Sequence, residues 1–167
     1  MSYTVYSKTD GTILKTVICS PEAIILQYDS KTAAHIEGEY DKATHKIVDG
    51  QAVLKTKSEQ VDYQYSLVKN TLPPIDPALT DTELDLQISQ YFYGKVDVQQ
   101  WKKENYRVLR NRHYPSVFDF IDAQVKLNSN DSLLVTEGQA EMQKYASNCL
   151  AVKTRFPKPL SLIKEKE

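Results

Sequence analysis

The stretch Pro73-Pro74-Ile75-Asp76-Pro77 constrains this chain more than any other. Three prolines in five positions fix φ and remove backbone donors, so neither a helix nor a paired strand runs through it. The elements on either side must therefore fold separately, and their residue patterns differ. Residues 1–68 read as a β-rich module, 69–79 as an extended proline-rich linker, 80–159 as a helical module and 160–167 as a polar tail. The class expected is α+β: a small N-terminal antiparallel β meander or barrel, followed by a bundle of about four helices.

The β reading rests on turn chemistry. Asp10-Gly11 and Asp49-Gly50 each lie between apolar runs, and such pairs supply the positive φ angles of a two-residue hairpin turn. A two-residue loop at Asp10-Gly11 puts Tyr3, Val5, Leu14 and Ile18 on one face. The same loop at Asp49-Gly50 groups His45, Ile47, Ala52 and Leu54. Ser20-Pro21-Glu22 breaks the chain before Ala23–Leu26, and a further run covers Ile36–Tyr40. About five short strands result, with 61–68 (VDYQYSLV) as an added one.

Beyond the prolines the period changes to helical. Thr80-Asp81-Thr82-Glu83 has the form of a capping box, and Leu84, Ile88, Tyr91 and Phe92 follow at helical spacing up to Gly94. Asp97 and Gln100 open a second helix carrying Val98, Trp101, Val108 and Leu109. Tyr114-Pro115-Ser116 makes a sharp corner, with Ser116 capping a third helix whose apolar residues are Val117, Phe118, Ile121 and Val125. In that corner Tyr114 and Phe118 are expected against Val108 and Leu109, and Asp119 opposite Arg110 or Arg112. A last helix carries Met142, Tyr145, Cys149 and Val152 on one face, and Pro157 and Pro159 stop it.

Composition narrows the function classes. With 21 basic and 22 acidic side chains the net charge is −1, which lacks the basic surplus of a dedicated nucleic-acid binder. No apolar run approaches the roughly 20 residues that span a bilayer, and Met1-Ser2-Tyr3-Thr4 has neither the charge nor the apolar core of a secretory signal. Cys19 and Cys149 are isolated and read as reduced thiols in a cytoplasmic setting. Eleven tyrosines suit either protein interfaces or ordinary core and strand usage.

Candidate chemistry is sparse. His35, Glu37 and Glu39 alternate onto one strand face, a nitrogen and oxygen donor set suited to a divalent metal, although a solvated face beside a turn explains them more simply. His45 falls on the apolar face of its hairpin, and His113 at a helix corner. Asp119 and Asp122 lie three apart on one helix. Arg107, Arg110 and Arg112 upstream favour ion pairing over acid–base catalysis. There is no phosphate-cradling glycine loop, no GxSxG and no HExxH. No catalytic residue, cofactor or metal is expected. A contact surface is expected instead, on Tyr91, Phe92 and Tyr93 together with Met142, Tyr145, Cys149 and Val152.

Two segments carry a resemblance. Tyr114-Pro115-Ser116-Val117-Phe118-Asp119-Phe120-Ile121-Asp122-Ala123 resembles a YPS-x-x-D-x-x-DA signature of small tail proteins of tailed bacteriophages. Ala151–Pro159 (AVKTRFPKP) resembles the AVK-x-x-[YF]-P-K-P ending of the same proteins, in the same order. Ala43–Gly50 (ATHKIVDG), after Ile36-Glu37-Gly38, is similar to a hairpin of their β-rich heads. Phe118 and Phe120 depart from the pattern, which has a small and a polar residue there. The resemblance implies a structural motif built on Tyr114, Pro115, Ser116, Asp119, Asp122, Pro157 and Pro159. It implies a non-enzymatic baseplate, tail-tip or fibre-attachment protein, present in several copies in the virion tail and assembled in the host cytoplasm. Its partners would be other tail proteins, with no nucleic acid and no membrane insertion. An assembly chaperone absent from the mature virion, and a small host-surface glycan-binding or degrading module, are the alternatives.

Overall fold

A computed structural model of the chain describes residues 1–159. The chain divides into two compact units, Met1–Thr71 and the part from Leu72 onward. The first holds five short antiparallel strands in two small sheets and one helix. The second is helical, and the described residues contain six helices in all. The expected α+β class stands in this coarse form. The barrel does not, and where about four helices were expected the described residues hold six, five of them in the second unit.

In the first unit β1 (Ser2–Ser7) is central, with β2 (Ile13–Ile18) and β3 (Ala33–Glu37) antiparallel on either side. That order, β2-β1-β3, leaves two open edges, so the sheet is neither a sequential meander nor closed. β4 (His45–Val48) and β5 (Gln51–Leu54) form a separate hairpin. Its turn is the one expected: Asp49 and Gly50 both have positive φ, at 51° and 76°, and Val48 pairs with Gln51.

The first hairpin differs. Its loop is longer than two residues, closed by Ser7 N–H donating to Thr12 O (2.9 Å), and the register shifts at a bulge between Val5 and Tyr6. Tyr3 therefore pairs with Val17 rather than Ile18, and Val5 with Lys15. A one-residue change of register turns every side chain over, so Leu14 and Ile18 are exposed. The core under the sheet is Tyr3, Val5, Ile24 and Ala33, flanked by Val17, Cys19 and Tyr28. Ile24 comes from a 3-10 turn over Ile24–Gln27, where the apolar run reads as a strand.

Gly11 joins the two sheets. Its carbonyl accepts from Ile47 N–H at 2.9 Å, and a Cβ built on it would lie 1.9 Å from Ile47 O. With φ at +69° as well, the position admits only glycine. On the sheet's other face Thr4 is fully buried, and its hydroxyl donates to Gly38 O (2.9 Å) and accepts from Tyr40 N–H (3.1 Å).

Residues 61–68 are not a strand. They belong to α1 (Lys57–Val68), which Thr56 and Glu59 open with a reciprocal capping box. The proline segment is likewise not a free linker, since Pro73 and Ile75 are buried.

In the second unit α2 (Asp81–Tyr91) begins at the Thr80–Glu83 capping box and buries Leu84 and Ile88. The expected second helix is two, α3 (Val98–Glu104) and α4 (Tyr106–His113), broken at Asn105, whose φ and ψ of −103° and 17° leave the helical region. α5 (Val117–Leu127) and α6 (Ser132–Arg155) form an antiparallel hairpin. Their backbones meet at Gly138, where a Cβ would lie 2.8 Å from Leu127 N and 2.9 Å from Ala123 O. The far end of α6 is held by two arginines. Arg155 pairs with Asp81 (2.7 Å) and donates to Leu79 O (2.6 Å), and Arg110 Nε donates to Phe156 O (2.7 Å). α6 ends at Arg155 because Pro157 restricts Phe156 to a non-helical conformation, with φ −122° and ψ 76°. Residues 160–167, expected as a polar tail, lie outside the described residues.

Candidate functional site

The motif residues 114–123 build a corner and a helix. Tyr114 leaves α4 in extended conformation, as a residue before proline must. Ser116 then caps α5, its hydroxyl accepting from Phe118 N–H at 3.2 Å. Asp119 sits in the first turn, where the helix dipole favours negative charge. Asp122 bonds Lys126 one turn on (2.9 Å), and Lys126 also reaches Glu141 on α6 (2.5 Å). These two carboxylates, Glu141 first, hold the Lys126 ammonium well above its ordinary pKa. Arg110, expected opposite Asp119, is spent on the α6 terminus instead.

The charged cluster thus clamps α5 to α6. The groove above it has a volume of about 280 Å³ and is lined by Pro115, Asp119, Asp122, Glu141, Lys144 and Tyr145. Burial raises the Tyr145 hydroxyl pKa, and its ring packs against Phe120 with centroids 5.5 Å apart. Asp122 is engaged by a lysine and both aspartates are exposed, so the pair lacks the contrast in burial that separates acid from base.

The histidines are also engaged. His35 Nδ1 lies 2.7 Å from the Tyr28 hydroxyl and its ring meets Tyr3 edge-on. Glu39 falls beyond the end of β3, past Gly38, so it does not continue the face of His35 and Glu37. His45 Nδ1 lies 2.9 Å from the Thr44 hydroxyl. His113 Nδ1 is 2.7 Å from Leu109 O, with the ring packed on Phe156. Among the described residues no three His, Cys, Asp or Glu side chains converge as a metal site would require. Cys19 and Cys149 are free thiols, both half-buried.

Two of the seven side chains expected to form a contact patch are interior. Phe92 is 1% exposed and Val152 9%, which makes them core. Tyr91, Met142, Tyr145 and Cys149 are half-buried, and Tyr93 alone of the seven is exposed.

A run of uncovered apolar side chains lies on α5, on the face assigned to the core by sequence. Ala123 is fully buried against α6, with Phe120 and Leu127 beside it on that side of the helix. Val117, Phe118, Ile121 and Val125 point the opposite way and are 58%, 75%, 48% and 66% exposed. The signal for this was present: residues 117–127 hold too many apolar side chains for one helix face. Two faces were therefore available, and the richer one is outside.

Among the described residues no helix is long and apolar enough to cross a membrane. No family model, curated protein or solved structure matches the chain.

Proposed function

We propose that this chain is a non-enzymatic structural protein of a bacteriophage tail. It would act in the baseplate, tail tip or fibre attachment through contacts with other tail proteins, assembled in the host cytoplasm and carried in the virion. One observation carries the contact part of the reading. The helix opened by the Tyr114-Pro115-Ser116 corner, the segment that resembles phage tail proteins, keeps Val117, Phe118, Ile121 and Val125 uncovered. Contiguous exposed apolar surface of this kind marks interaction sites.

Mass spectrometry of purified virions tests the proposal. Several copies per particle are expected. A protein needed for tail formation yet absent from finished particles would replace this reading with that of an assembly chaperone, which the same apolar helix would also suit. Turnover of a glycan that Asp119→Ala abolishes would replace both with an enzyme.

A further inference from the structure

The uncovered side chains of α5 have a spacing that says what can cover them. Phe118, Ile121 and Val125 follow at intervals of three and four, the seam along which two helices pack at a shallow angle. Val117 flanks them on one side and Asp122, already paired with Lys126, on the other, and no charged side chain falls on the seam itself. A partner therefore needs no complementary charge. It needs an uncharged apolar helix face of the same length.

α5 is such a face. We propose that two copies of this chain pair through α5, antiparallel about a two-fold axis that passes between Ile121 and Asp122. In that arrangement Phe118 of each copy lies over Val125 of the other, the largest side chain of the seam against a small one, while the two Ile121 side chains are neighbours across the axis. A two-fold interface uses one patch twice, so the seam must be its own complement, and this layering makes it so.

The area agrees. A fully exposed phenylalanine presents on the order of 200 Å² and a branched aliphatic somewhat less, so the exposed fractions leave roughly 450 Å² of apolar side chain per copy. Two such faces, with polar rim residues such as Gln124 and Asn128, reach the approximately 1,000 Å² total that separates specific interfaces from incidental contacts. The pairing also converts each α5–α6 hairpin into half of a four-helix arrangement, with α5 inside and α6 outside. This accounts for a helix that is apolar on two opposite sides: one side is covered within the chain and the other between chains.

The pairing rests on α5 as a contact surface and not on the phage assignment, and the two fail separately. Sedimentation equilibrium of the full chain at tens of micromolar should give a mass near twice 19.1 kDa. Phe118→Glu and, independently, Val125→Lys should each shift it to the monomer, weakening association at least tenfold, with helical circular dichroism and melting temperature of the monomer preserved. A monomeric wild-type chain overturns the proposal, as does a dimer unaffected by either folded variant. A chain that is monomeric alone and binds only another tail protein through α5 also overturns it, while leaving the proposed function intact.

Discussion

Gly138 lies in the seventh position of α6, and its replacement by alanine sets two effects of opposite sign against each other. Helix propensity alone favours alanine by up to about 1 kcal/mol at an interior position. Packing opposes it. The new methyl would sit 2.8 Å from Leu127 N, 2.9 Å from Ala123 O and 2.9 Å from Lys126 Cβ. Two of these are backbone atoms of α5, which cannot give way unless the helices separate. Overpacking costs about 1–3 kcal/mol, and separating α5 from α6 also stretches the Lys126–Glu141 bond. The expected net effect is a loss of about 1–2 kcal/mol. A unit of this size loses roughly 4–8 °C in melting temperature per kcal/mol. Thermal and urea denaturation of Gly138→Ala followed by circular dichroism would measure it. Ala140→Gly serves as the control: it lies on the exposed side of the same helix and should lose only the propensity term, up to about 1 kcal/mol. An increase in stability for Gly138→Ala would mean that the helices do not approach as described.

Three further outcomes follow from single residues. Thr4→Val keeps the shape of the side chain but strands Tyr40 N–H and Gly38 O, and should cost about 1–3 kcal/mol by urea denaturation, whereas Thr4→Ser should lose much less. Tyr93 has φ at +55° after α2, so Tyr93→Gly should raise stability by about 1 kcal/mol; a fall would show that its ring is packed more firmly than its exposure implies. Glu59 is held down to about 2 from an ordinary 4.5, first by the Lys46 hydrogen bond and then by those from Thr56. Because the folded value lies below the unfolded one, its contribution is complete above pH about 4.5 and fades as pH falls toward 2. Glu59→Gln should flatten that part of the stability profile, read by melting the protein between pH 6 and 2.5, and an unchanged profile would remove Glu59 as its source.

What the sequence disclosed was local, and what it concealed was tertiary. The Thr80–Glu83 box, the Asp49-Gly50 turn and the Ser116 cap are each written in a few adjacent residues and appear as read. α1 was masked by alternation: Val61, Tyr63 and Tyr65 look like a strand of period two, and the overriding signal was the Thr56–Glu59 box just upstream. Asn105 breaks the α3–α4 segment without proline or glycine to announce it. The β2 register turned on one bulge between Val5 and Tyr6, which no composition rule reveals. The orientation of α5 was the largest reversal. Its small face around Ala123 is selected because only a small side chain allows the approach to Gly138, and that pairing of two distant small residues has no local signature.

The two ends of α6 are fastened over very different distances along the chain. Its first half meets α5 across a short loop, a contact among near neighbours in sequence. Its last turn is held by Arg155 to Asp81, 74 residues away, and by Arg110 to Phe156, 46 away. Closing a long loop costs more chain entropy than closing a short one, so the hairpin is expected to assemble first and the arginine clasp afterwards. Opening should follow the reverse order. Amides near Gly138 should exchange with solvent only when the whole hairpin comes apart, whereas those of the final turn exchange whenever the clasp releases. A single continuous helix would then carry a slow half and a fast half, with the boundary set by which neighbour holds it.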